Sequence, residues 1–75
     1  ALRAAERALA VSERSVDVAR RAASAAERGF GAGAVTGLEL DAARRALEQA
    51  ELELVLAQLE RDGARVDLLS AAGLL

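Results

Sequence analysis

Seventy-five residues leave room for one small unit rather than two domains, and the absence of Cys and His removes disulfides, the usual zinc and haem ligands and the usual general bases. The ten basic residues are all Arg and face twelve acids, so the net charge of −2 argues against nucleic acid as the main partner. Hydrophobic residues make up 53% of the chain, yet half of them are alanine and Phe30 is the one aromatic, so the chain by itself buries only a marginal core.

The chain opens without an initiator Met, and Leu2 and Ala5 are already in phase with the helical pattern that follows, with no capping residue before them. It stops abruptly after Gly73-Leu74-Leu75. Both ends point to a segment of a longer protein, with no signal peptide in view. Nowhere does it reach the roughly 18 uninterrupted apolar residues of a membrane span.

In the first arm, Leu2, Ala5, Leu9, Ser12, Val16, Ala19, Ala23, Ala26 and Phe30 alternate in steps of three and four, an unbroken heptad seam. A second seam runs beside it through Ala4, Ala8, Val11, Ser15, Val18, Ala22 and Ala25. Charged residues fill the remaining stripe. A two-helix hairpin needs one apolar seam, so two seams imply a neighbour on each side of the helix. Alanine at so many seam positions lets helix axes approach closely, which suits helices laid side by side in a curved wall.

Residues 29–41, GFGAGAVTGLELD, break this helix and start another. Thr36 stands at the N-cap position and Glu39 three residues on, the pattern of a reciprocal capping box. Val35 and Leu40 occupy the two positions of a hydrophobic staple. Phe30, Ala32, Ala34 and Val35, with Gly33 among them, put a small apolar surface at the tip, where water would favour Asn, Asp or Ser. They either pack the two helix ends together or dock another helical protein.

The second arm repeats the plan less cleanly. Ala43, Leu47, Ala50, Leu54, Ala57, Ala64 and Leu68 form one seam, interrupted by Arg61. Leu38, Ala42, Leu52, Leu56, Leu59 and Val66 form another, interrupted by Arg45 and Gln49. Asp41 with Arg45 and Arg44 with Glu48 are spaced for ion pairs along the helix surface. Gly63 inside the helix suggests a slight bend or a close helix approach. Residues 1–28 carry six Arg against four acids and residues 39–75 four Arg against eight acids, so the arms attract each other weakly.

No constellation carries catalysis. The glycines at 29, 31 and 33 follow a helix instead of a strand and lack any Lys, so they form a turn and not a phosphate cradle. Acid pairs such as Glu48 and Glu51 alternate with Arg on a wet stripe and read as a solvated face. The expectation is an all-α antiparallel hairpin spanning residues 1–75, with helix over about 2–29, turn over 30–36 and helix over 37–72, no cofactor or metal and no enzymatic activity.

The order Phe30, Gly33, Val35, Glu39, Ala43, Arg44 and the closing Gly73 resembles the TolC-like outer-membrane factor family, over nearly the whole chain and without a gap. That resemblance implies a trimer with an outer-membrane β-barrel and a periplasmic α-barrel, the exit duct of efflux pumps and type I secretion systems. This hairpin would belong to the periplasmic α-barrel. Its turn would meet a periplasmic adaptor and, through it, an inner-membrane transporter. Ala32-Gly33-Ala34 would match the family's Val-Gly-Leu-like tip triplet, with Ala34 where a larger apolar residue often sits.

A rival of another class rests on the run GAVTGLELDAARRALEQAELELVLAQLE, which also resembles the coiled-coil hairpin of periplasmic adaptor proteins. There the Asp41-x-x-Arg44 register would serve a bridging rod instead of a channel wall. A generic helical hairpin with no transport role is the third reading.

Overall fold

The computed structural model describes residues 2–74, and among these residues there are two helices and no strand. α1 runs over Leu2–Gly31 and α2 over Gly37–Ala71, folded back on each other as an antiparallel hairpin 60 Å long and 14 × 13 Å in section. α1 continues two residues past the glycine at which the sequence suggested an end. The helix stops where the backbone turns left-handed, at Gly33 with φ +77°. Gly29 and Gly31 are helical.

Both helices end in the same device. Beyond α1, the Gly33 N–H donates to the Phe30 carbonyl at 3.1 Å and the Ala34 N–H to the Gly29 carbonyl at 2.7 Å. Beyond α2, the Gly73 N–H donates to the Ser70 carbonyl at 3.0 Å and the Leu74 N–H to the Leu69 carbonyl at 2.9 Å, with Gly73 at φ +74°. These are Schellman motifs, in which glycine takes the left-handed position because a Cβ there would crowd the following carbonyl.

One seam of each helix makes the core. Ala5, Leu9, Val16 and Ala23 of α1 are buried against Leu40, Ala50 and Ala57 of α2. Ser12, Ala19 and Ala26 on one side and Ala43, Leu47, Leu54 and Ala64 on the other are half-buried between them. Leu40 joins the core as the continuation of the second-arm seam toward the turn. Arg61 occupies a seam position without breaking the pairing. Its stem lies along the core and its guanidinium reaches Asp62 at 2.9 Å, which keeps the charge in water.

The second seams are bare. Val11 and Val18 on α1 and Leu38, Leu52, Leu56, Leu59 and Val66 on α2 are each more than half exposed. A compact monomer of this mass exposes about 4,400 Å², whereas the hairpin exposes 5418 Å². Much of the apolar surface the sequence provides is therefore not used inside the hairpin.

Candidate functional site

The tip is built by three contacts. Thr36 caps α2: its hydroxyl oxygen accepts from the Glu39 N–H at 3.1 Å, and the Thr36 N–H donates back to Glu39 Oε1 at 3.4 Å. The Thr36 hydroxyl also donates to Glu39 Oε1 at 3.0 Å. Val35 is half-buried against Gly29, so close that a Cβ on Gly29 would overlap Val35 Cγ2 and stand 3.2 Å from Val35 Cβ. Phe30 reaches across the turn toward Gly37, its Cε1 3.8 Å from where a Cβ on that glycine would lie.

What the tip presents follows from these contacts. Phe30 is 50% exposed, and Ala32, Gly33 and Ala34 are exposed outright. Every backbone N–H from Ala32 to Thr36 is already donated within the turn. Over Ala32 to Thr36 a partner therefore meets small apolar side chains and glycine backbone, which favours close packing, while the Gly37 and Leu38 N–H groups that open α2 make no hydrogen bond among the described residues. Gly29 and Gly37 belong to this site, although the sequence reading took Gly29 only as one of the turn glycines and did not single out Gly37. Their signal is a glycine opposite a bulky side chain, which only the folded turn reveals.

Above the tip, one ion pair among the described residues ties the arms together: Arg44 Nη2 lies 3.4 Å from Glu27 Oε1. This departs from the expected pairing of Arg44 with Glu48 along α2, because Glu27 lies on the matching flank of α1. Arg45 departs too, its Nε donating to the Asp41 backbone carbonyl at 3.4 Å instead of the carboxylate. Elsewhere Arg21 pairs with Asp17 at 2.9 Å. No helix is long and apolar enough to cross a membrane among the described residues, and none of their His, Cys, Asp and Glu side chains group as metal ligands.

The described residues thus form a rod with an apolar tip, one buried seam and further apolar seams left open. The family model of the outer membrane efflux protein matches residues 1–74, and the chain belongs to that family. It is thus a component of an outer-membrane efflux channel, in a family whose role is transport. No curated protein and no solved structure matches the chain.

Proposed function

We propose that this hairpin is a wall segment of the periplasmic duct of an efflux or type I secretion channel, trimeric in the intact protein, with its turn docking a periplasmic adaptor that links it to an inner-membrane transporter. The observation that carries the reading is the pairing of an exposed tip at Phe30, Ala32, Gly33 and Ala34, backed by half-buried Val35, with open seams along both helices. A wall needs lateral neighbours, and a mouth needs an end that another helical protein can approach closely. The family match supports the duct over the adaptor rod. Polar stripes then face the lumen or the periplasm, and the energy for transport comes from the inner-membrane partner.

The test is Ala34→Asp in the intact protein. Ala34 is exposed and outside both helices, so hairpin helicity should be unchanged while adaptor crosslinking at the tip and efflux both fall at least tenfold. Undiminished efflux with crosslinking intact would leave the tip as a plain turn.

A further inference from the structure

The last turns of α1 carry a basic cluster that neither the core nor the seams use. Arg20, Ser24 and Arg28 stand four residues apart and so share one side of the helix, with Arg21 beside them. All four are exposed, and together they line a shallow recess of about 450 Å³ to which no other residue contributes. They lie on the charged stripe of α1 and belong to neither apolar seam. Covering the seams therefore leaves the recess in contact with water.

Its charge is not balanced from within. Between Asp17 and Glu27 the chain has no acid, and both of those carboxylates are engaged. Asp17 holds Arg21 at 2.9 Å, and Glu27 is drawn across the hairpin to Arg44 at 3.4 Å. Arg20 and Arg28 make no ion pair and no side-chain hydrogen bond among the described residues. Arg28 has no acid three or four residues away in either direction, where Ser24, Ala25, Gly31 and Ala32 stand. Arg20 has Asp17 three residues before it, already bound to Arg21. Two unpaired guanidiniums thus flank one hydroxyl. Their backbones are about 12 Å apart along the axis, and their long side chains can converge over Ser24.

The chemistry that fits is an oxyanion with several acceptor oxygens. A guanidinium presents a planar fork of donors that pairs bidentately with such groups, and it stays charged at any physiological pH. Ser24 adds a hydroxyl donor between the two forks. The arginine stems give the recess apolar walls, so it has room for the organic part of a small ester as well as its charged head. An exposed site of this kind is screened by salt and binds loosely, as suits a cargo that must leave again. We infer that Arg20, Ser24 and Arg28, with Arg21 as their wall, bind small organic anions bearing a phosphate or sulfate group, and that the duct draws anionic cargo in at the end nearest its mouth. This role rests on the duct reading and adds to it the charge class of the cargo.

The experiment uses the intact protein and pyrophosphate as the probe. In equilibrium dialysis at low ionic strength, Arg20→Gln combined with Arg28→Gln should weaken pyrophosphate binding roughly tenfold or more, and Ser24→Ala about threefold. Arg3→Gln combined with Arg7→Gln removes the same charge from the other end of α1 and should change binding less than about twofold. Gln keeps good helix propensity at these exposed positions, and circular dichroism checks that helicity is retained. In planar bilayers under a salt gradient, pyrophosphate should block the native current. The Arg20 and Arg28 double variant should need roughly tenfold more of it and should shift the reversal potential toward cation selectivity. Unchanged binding, or equal weakening by both double variants, reduces the cluster to ordinary surface charge and overturns the site. Site-specific binding with block and selectivity unaltered overturns the cargo role and leaves the duct reading standing. A native protein that carries no current overturns the duct reading, and the cargo role with it.

Discussion

Six glycines look alike in the sequence and do different things in the hairpin. Gly29 is excluded from growing by Val35, whose β-branched side chain has little freedom to move aside. Gly29→Ala should therefore cost about 1–3 kcal/mol, the ordinary penalty of overpacking, and lower the urea midpoint. Gly33 stands at φ +77° with open space around it, so Gly33→Ala is opposed by the backbone alone, at about 1–2 kcal/mol. A bulky residue there would strain the turn as well as alter its surface, which makes Ala34 the better probe of docking. Gly63 has nothing within 4 Å and an ordinary helical backbone. The close approach the sequence suggested at that position does not occur within the hairpin. Gly63→Ala should instead stabilise the dilute chain by about 1 kcal/mol, read as a raised melting temperature.

At the scale of the element, the two ends of α2 are secured differently. The N-terminus depends on side chains, because Thr36 and Glu39 satisfy each other's backbone donors. Thr36→Ala should cost about 1 kcal/mol and speed hydrogen exchange at the Glu39 amide, which loses its acceptor, while exchange in the middle of α2 stays unchanged. The C-terminus depends on backbone alone, through the Schellman bonds around Gly73. The crossing pair of Arg44 and Glu27 adds little by comparison. Both side chains are more than half exposed, so Glu27→Gln should shift stability by about 0.5 kcal/mol or less. Its value is register: it marks which flanks of the two helices face each other.

Taken whole, the hairpin is a rod whose thickness allows only one shared seam. Its core is narrow and largely alanine, and the leucines of α2 that could enlarge it point away from α1. Stability and association should therefore be linked, since anything that covers the bare seams favours the folded state by mass action. Circular dichroism across a dilution series from high to low micromolar should show helicity falling together with the sedimentation-average mass. A mass that stays monomeric while helicity stays full would contradict this linkage.

The sequence by itself determined what is local. The seam periodicity, the Thr36-x-x-Glu39 cap and the glycine-studded break are decided by residues within a few positions of one another, where helix geometry leaves little choice. It also disclosed that each helix owns more apolar surface than one partner can cover, because composition and period suffice to count seams. Only the tertiary structure decided which seam of each helix turns inward: the pairing through Leu9, Val16, Ala23, Leu40, Ala50 and Ala57 depends on how the turn aims α2 at α1. Arg44 finding Glu27 across the hairpin and Gly29 meeting Val35 were decided in the same way. Each is a contact between groups that only folding brings within a few ångströms, and packing in three dimensions, not spacing along the chain, selects among the pairings the sequence allows.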